Sequence, residues 1–162
     1  MILGMSIETL TSVHTIISLI AIGTGMLVLL SMVAGYHVPG MTAVFLLTTI
    51  LTSATGFLFP FQDVTPGIII GAISLFVLAV ALLALYVFKL SGVWKHIYVV
   101  TATVALYLNV LVAVVQAFQK LSSLQPLAPT QSEPPFIAAQ VGVLILFLIL
   151  GALAVRRFLR FG

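Results

Sequence analysis

The sequence contains no cysteine and very little charge. Without a thiol, the chain has no disulfide, no thiolate nucleophile and no thiolate metal ligand. Acidic and basic residues make up 6% of the chain, whereas soluble domains carry about 25%. So few charges cannot cover a surface in water, particularly since 62% of the residues are hydrophobic. The composition therefore predicts a membrane protein.

The basic residues do not form a nucleic-acid surface. Half of the six Lys and Arg residues lie together at the C-terminal tail, at Arg156, Arg157 and Arg160. The sequence has no basic face with interleaved aromatic residues, which nucleic-acid binding would require. We therefore expect the lipid bilayer as partner, no nucleic acid, and a net charge that reports membrane orientation.

Five apolar stretches are each long enough to cross about 30 Å of hydrocarbon as a helix of about 20 residues. We predict an all-α integral membrane bundle of five transmembrane helices, forming a single domain over residues 1–162. The predicted helices span about 10–35, 41–59, 66–88, 93–117 and 136–155. The long connection 118–135 is rich in Pro, Ser and Gln and is expected to form an outer loop.

The charges predict which way the bundle is oriented. One side of a five-helix arrangement receives the bases Lys89, Lys95, Arg156, Arg157 and Arg160. The other side receives Glu8, Asp63, Glu133 and a single base, Lys120. Cytoplasmic connections carry the excess of Lys and Arg, so we predict the N-terminus outside and the C-terminus in the cytoplasm. Aromatic residues fall at the predicted cytoplasmic boundaries, as interfacial residues do, at Tyr36, Trp94 and Tyr98.

A few polar residues interrupt the apolar stretches and are the candidates for a ligand-binding site. His14, Thr55, Gln116 and Gln140 are expected at a similar depth, about 6–8 Å below the outer surface, and Asn109 lies about two turns deeper. One interpretation is that they hydrogen-bond to one another and fix the packing of the helices. The other is a pocket open to the outer leaflet that binds a quinone or another lipophilic molecule with a polar head. An intramembrane histidine keeps the second interpretation open.

The third apolar stretch carries the small-residue pattern Gly67-Ile-Ile-Ile-Gly71. Glycines spaced in this way let helices approach closely, within one chain or between two copies. We expect Gly67 and Gly71 to be helix-packing residues, with a homo-oligomer as one possibility. The third helix is otherwise uniformly apolar and is expected to face lipid.

The sequence offers little support for catalysis or for a cofactor. Haem b needs two histidines at the same depth, but the predicted topology separates His14 from His37 and His96. His37 and His96 fall on the same side, so a haem between them is geometrically possible, although His37 lies in a short turn over 36–40 and the pair is not expected to bind one. No set of His and carboxylate residues suggests a metal site, and no nucleophile elbow accompanies a Ser-His-Asp set. No charged residue lies at mid-membrane, where ion-coupled transport would need one. We expect no catalytic residue, no metal and no cofactor, with quinone or haem b as the alternatives.

Three segments resemble small uncharacterised multi-pass membrane proteins of proteobacteria: Ala105-Leu-Tyr-Leu-Asn109, Gln116-Ala-Phe-Gln-Lys120 and Ala128-Pro-Thr-Gln-Ser-Glu-Pro-Pro-Phe136. The resemblance extends over most of the chain and implies a bacterial inner membrane. It transfers no catalytic residue, because no activity is assigned to that group. We expect a non-enzymatic protein, either an accessory subunit that has a membrane-protein partner or a binder of a lipophilic molecule. A quinone or haem redox protein and a small oligomeric transporter are the alternatives.

Overall fold

The chain folds into five long helices. The computed structural model describes residues 2–161, with side chains as far as Phe158. The helices are α1 Ile7–Val33, α2 Pro39–Gly56, α3 Pro66–Leu82, α4 Trp94–Lys120 and α5 Pro134–Phe161. Apart from an isolated β-bridge between Ile2 and Met5, the regular structure in this part of the chain is helical. All five helices are long and apolar enough to cross a membrane, which confirms the predicted all-helical architecture.

Local sequence signals set most of the helix ends. The Ser6 hydroxyl accepts a hydrogen bond from the Thr9 amide at 3.2 Å and caps the start of α1. Thr65 caps α3 in the same way, with the Ile68 amide at 3.3 Å. Proline stands at the start of α2, α3 and α5, where its missing N–H is no loss. Gly35 ends α1 by adopting a φ of 88°, which a residue without a Cβ adopts readily.

The helix bounds differ from those expected of hydropathy alone. Helix α2 ends at Gly56, although the apolar stretch runs on to Phe59. Phe59 precedes Pro60, and a residue that precedes proline disfavours the helical conformation. Helix α4 continues to Lys120, beyond the apolar stretch, and Lys120 places a cation in its last turn. Helix α3 is followed by a π-helical turn at Leu83–Val87 and α4 by a 3-10 turn at Gln125–Leu127.

The five helices form a closed ring in chain order, with α5 returning to contact α1. Helix α4 also contacts α1 and α2 across the interior, and its residues make up much of the core. Short connections make successive helices antiparallel. We call the end that carries Ile7 and the connections 57–65 and 121–133 the N-terminal end, and the other the C-terminal end.

Helix α5, and not α3, has the least covered surface. Only 6% of the most apolar stretch of α5 is buried within the bundle, compared with 28% for α3. Helix α3 packs between α2 and α4 and buries Ser74, Leu78 and Ala81. Helix α3 exposes large residues such as Phe76, but it is not the helix with the most exposed surface. Uniform apolarity does not distinguish a helix neighbour from lipid.

Candidate functional site

The most distinctive polar contact joins α1 to α2 near the N-terminal end. The Nδ1 atom of His14 lies 2.7 Å from the hydroxyl oxygen of Thr55. Thr55 is the penultimate residue of α2, so the contact forms where that helix stops and the longer α1 continues past it. With 18 residues, α2 is about 27 Å long, while the 27 residues of α1 span about 40 Å. The His14 ring therefore lies beside a step in the bundle.

The other edge of the His14 ring is bordered by small and apolar groups. Phe59 meets the ring edge to face, with the ring centroids 5.4 Å apart. Gly56 lies next to it, and a Cβ atom on Gly56 would stand 3.7 Å from the ring carbon Cε1. The Nε2 atom, which is bonded to Cε1, has no hydrogen-bond partner among the described residues and is not enclosed by them. The protein therefore leaves this ring nitrogen unpaired and incompletely buried.

Asn109 forms a separate contact deeper in the bundle. Its side-chain amide donates a hydrogen bond to the Thr49 hydroxyl at 3.3 Å, which links α4 to α2. Both residues are buried. Interhelical hydrogen bonds of this kind contribute about 0.6 kcal/mol on average in membrane proteins. Asn109 is thus engaged in packing and is not joined to His14.

Gln140 and Gln116 occupy different environments. The Nε2 group of Gln140, on α5, donates to the backbone carbonyl of Leu111 on α4 at 3.2 Å. The Oε1 atom of Gln140 is buried and has no donor among the described residues. Gln116 is exposed and makes no hydrogen bond to the described residues, although it lies on the same stripe of α4 as Asn109.

The polar residues singled out in the sequence are therefore divided and do not form one cluster. The structure brings His14 together with Thr55 and pairs Asn109 with Thr49. It bonds Gln140 to a backbone carbonyl of α4 and leaves Gln116 at the surface. Sequence positions gave each residue a depth along its helix. The rotation of each helix about its own axis, which decides what a side chain meets, is set by packing and was not available from the sequence.

Of the two glycines expected to pack helices, only Gly71 lies at a close contact, with the residue that directly follows α2. A Cβ atom on Gly71 would stand 3.2 Å from the ring of Phe57, so Gly71 accommodates a residue of the same chain. Gly67 is exposed, and a Cβ atom there would meet only the side chain of Thr65, at 3.7 Å.

A second polar group lies at the C-terminal end and was not singled out as a site residue. Tyr98 was expected at the membrane interface, but it is 0% exposed, and its hydroxyl has no partner among the described residues that meets hydrogen-bond geometry. His37 and Phe158 surround it, with ring centroids 6.3 and 6.1 Å away. The signal for this burial was present in the sequence, because Tyr98 is in line with the small residues Ala102 and Ala105.

His37 and His96 lie near the same end of the bundle but do not converge. His37 packs against Tyr98, where burial lowers the pKa of the imidazole. His96 is exposed and lies two residues before Tyr98, which turns it about 200° away around α4. The two rings therefore diverge. Among the described residues, no group of three or more His, Asp and Glu side chains is placed to hold a metal ion.

The connection between α4 and α5 folds back onto the N-terminal end. Gln131 holds it through bonds to the Val115 carbonyl at 3.0 Å and to the Gln119 side chain at 3.3 Å. A shallow cavity of about 250 Å³ lies beneath it, bordered by Phe118, Gln125 and Pro129 among others. This cavity is lined by uncharged side chains and contains none of the residues singled out in the sequence.

Comparison with known proteins gave no assignment. No family model, no curated protein and no solved structure matches this chain.

Proposed function

We propose that this protein is a non-enzymatic, multi-pass protein of a bacterial inner membrane that binds a lipophilic molecule with a polar head at His14. The proposal depends on the hydrogen bonding of the two ring nitrogens of His14. The Thr55 hydroxyl lies 2.7 Å from one ring nitrogen, while the other ring nitrogen has no partner among the described residues and is not fully buried. Ionisable residues inside spanning helices are rare, and those that occur usually mark sites or pathways.

The proposed orientation places the N-terminal end, and with it His14, in the outer half of the membrane. The C-terminal end carries the described bases Lys89, Lys95, Arg156 and Arg157, while the side chain of Arg160 is outside the described part. The N-terminal end carries Glu8, Asp63, Glu133 and the single base Lys120. This asymmetry supports a cytoplasmic C-terminus by the positive-inside rule.

The alternatives find less support in the geometry. A haem redox protein would need two converging histidines, and His37 and His96 diverge around α4. An ion-coupled transporter would be expected to carry an acid or a base near the middle of a helix. The charged residues of this chain lie instead at helix ends or in connections.

The experiment is an inventory of lipophilic molecules that leave the membrane with the protein. The chain is extracted in native nanodiscs with a styrene–maleic acid copolymer, and organic extracts are compared by mass spectrometry with the bulk membrane. We expect at least one species to be enriched with the unmodified protein and to return to its bulk proportion in His14→Ala. His96→Ala is the matched control, because it removes an exposed histidine at the other end and should keep the enrichment.

Circular dichroism and size-exclusion chromatography establish that each variant is folded. Thr55→Val provides a second perturbation of the site that leaves the imidazole in place. An identical inventory for the unmodified protein and His14→Ala would refute the binding proposal. The same purification distinguishes an accessory subunit, which would bring a second polypeptide with it in all variants.

A further inference from the structure

The hydrogen bond between His14 and Thr55 has a direction. The Thr55 hydroxyl lies 2.7 Å from the carbonyl oxygen of Leu51 and 3.1 Å from that of Thr52. A hydroxyl has a single hydrogen to donate, and a carbonyl can only accept. With that hydrogen directed at the helix backbone, Thr55 offers His14 an oxygen lone pair. His14 is therefore the donor in their 2.7 Å contact.

This direction fixes the tautomer of the imidazole. No described carboxylate is bonded to the ring to hold a second hydrogen on it, and an uncharged imidazole carries one hydrogen. Since Nδ1 donates to Thr55, the hydrogen is on Nδ1, and Nε2 has a free lone pair. A partner bonded at one nitrogen commonly sets the chemistry of the other in this way. The unpaired Nε2 atom of His14 is therefore a hydrogen-bond acceptor.

Gln140 independently presents a second hydrogen-bond acceptor that lacks a donor. Its amide group is oriented by the donation to the Leu111 carbonyl, which leaves Oε1 as a buried acceptor without a donor. The Gln140 site lies at the N-terminal end, between α4 and α5, and is separate from the His14 contact. Two different helix pairs at this end thus present acceptors that lack donors.

We propose that the lipophilic molecule bound at His14 is a hydrogen-bond donor, whose polar head bears a hydroxyl group. This inference rests on the proposed function and narrows the class of its ligand. A hydroquinone and a lipid with a free hydroxyl share the required chemistry. A quinone, an ether or an ester presents only acceptors, and its lone pairs would face that of Nε2 without a hydrogen between them.

The test uses two pairs of probes, in each of which the hydroxyl hydrogen of one member is replaced by a small methyl or acetyl group in the other. One pair is a decyl-substituted hydroquinone and its dimethyl ether, and the other is a diacylglycerol and its acetate ester. Binding to the full chain in phosphatidylcholine nanodiscs is measured by displacement of a fluorescent decyl-hydroquinone derivative and by native mass spectrometry. We expect the donor member of at least one pair to bind about tenfold more tightly, corresponding to one net hydrogen bond. The pair that shows the preference identifies the source of the hydroxyl.

The variants test whether Thr55 sets this preference. Thr55→Ser keeps a hydroxyl and should keep the tenfold ratio between the affinities of the donor probe and its ether or ester. Thr55→Val removes the acceptor that keeps the hydrogen on Nδ1, so the ratio should fall to about threefold or less. ¹⁵N NMR of histidine-labelled protein, with the signal assigned by its loss in His14→Ala, gives the tautomer of the unmodified chain directly. The tautomer is read from the unmodified chain, and the folded His14→Ala variant serves only to assign the signal.

The outcomes separate the two proposals. Equal or tighter binding of the ether or ester would overturn the donor inference and leave binding at His14 intact. An NMR spectrum in which Nε2 carries the hydrogen would overturn it in the same way. Absence of binding for every probe, together with no enriched species in the membrane extract, would overturn both. A donor preference that is kept in Thr55→Ser and lost in Thr55→Val supports the inference.

Discussion

At Gly25 the absence of a side chain determines how closely three helices approach. A Cβ atom built on Gly25 would stand 2.6 Å from a methyl group of Leu106 on α4 and 2.7 Å from the ring of Phe45 on α2. Such distances are shorter than any real carbon contact, and all three residues are buried. Small residues at helix interfaces have this role in membrane proteins, where close packing replaces the hydrophobic effect between helices.

We therefore expect Gly25→Ala to destabilise the bundle by about 1–3 kcal/mol, the usual effect of overpacking a filled core. Gly23→Ala is the matched control, because Gly23 is exposed on the same helix and nothing lies within 4 Å of its Cβ position. Alanine at position 23 should stabilise by up to about 1 kcal/mol through helix propensity. Reversible unfolding in mixed micelles measures both changes. Equal stabilities of the two variants would show that the Phe45 and Leu106 side chains move aside without strain.

The stability of a Gln140 variant can show whether this residue only packs helices or also contacts a bound molecule. Its Oε1 atom is buried without a donor, which costs about 1–3 kcal/mol in a protein interior. Gln140→Met removes that acceptor in a side chain of similar shape, and we expect ligand-free protein to be equally stable or up to about 1 kcal/mol more stable. Gln116→Met, at an exposed position, should change stability by less than about 0.5 kcal/mol. Thermal unfolding before and after delipidation gives the comparison.

A loss of stability in Gln140→Met that disappears on delipidation would mean that a bound molecule supplies the missing donor. A loss that persists after delipidation would contradict the expectation, since it would mean that the amide group stabilises the bundle by itself.

Single residues also show which parts of the site were predictable. The depth of His14 and Thr55 followed from counting residues along their helices, and the structure places the two in contact. Gln116 was expected in the interior because it is seven residues from the buried Asn109 and so on the same face. That face is covered at Asn109 and uncovered at Gln116, near the end of α4. Periodicity identifies a face but not how far along the helix its neighbours extend.

Among the elements, the start of α5 depends on a carboxylate. Glu133 directly precedes α5 and bonds to the Thr130 hydroxyl at 2.6 Å and to the amides of Thr130 and Ser132, both at 3.1 Å. The bond from the Thr130 hydroxyl lowers the pKa of Glu133 below its ordinary range, and the two amides act in the same direction. A negative charge at this position also suits the N-terminus of a helix.

This arrangement predicts an acid-sensitive connection between α4 and α5. Because the folded-state pKa is depressed, the stabilisation by Glu133 is fully present above the ordinary glutamate pKa of about 4.3 and is lost as the pH falls through the folded value. We expect the NMR amide shifts of Thr130 and Ser132 to change over this acidic range. In Glu133→Gln these amide shifts should differ from those of the unmodified chain at neutral pH and should not change with pH. Glu8→Gln is the control and should keep the acid-dependent change. If Glu133→Gln showed the same acid-dependent change as the unmodified chain, Glu133 would not be its cause.

Helix ends were predictable where proline or glycine marks them and not elsewhere. Proline correctly indicated the starts of α3 and α5 to within two residues. The end of α3 is different, because the π-helical turn is followed by Lys89 and Leu90 with φ values of 51° and 60°. Such left-handed conformations cost an ordinary residue about 1–2 kcal/mol, so neither residue type signals them. The stacked rings of Phe88 and Trp94, 4.0 Å apart, hold this connection together instead.

For the whole molecule, the composition predicts that the helices lie in a membrane, but it does not predict which helices contact one another. Lipid tails and the side chains of a packed interface are equally apolar, so hydropathy cannot separate them. The balance of small and large residues is more informative. Helix α4 has alanine at Ala102 and Ala105 on its buried face and lies at the centre, whereas α5 exposes large residues such as Leu148 and Ile149. This difference was visible in the sequence, although it was not used to rank the helices.

The orientation of the whole bundle can be tested directly because the chain has no cysteine. Ser91→Cys introduces a thiol into the exposed connection between α3 and α4, and Ser123→Cys introduces one into the exposed connection between α4 and α5. With Lys89 and Lys95 flanking the first connection, the positive-inside rule places it in the cytoplasm. We expect a membrane-impermeant maleimide to label Ser123→Cys in intact spheroplasts and Ser91→Cys only after lysis. The unmodified chain provides a background without thiols. Labelling in the opposite order would invert the bundle and place His14 in the cytoplasmic half of the membrane.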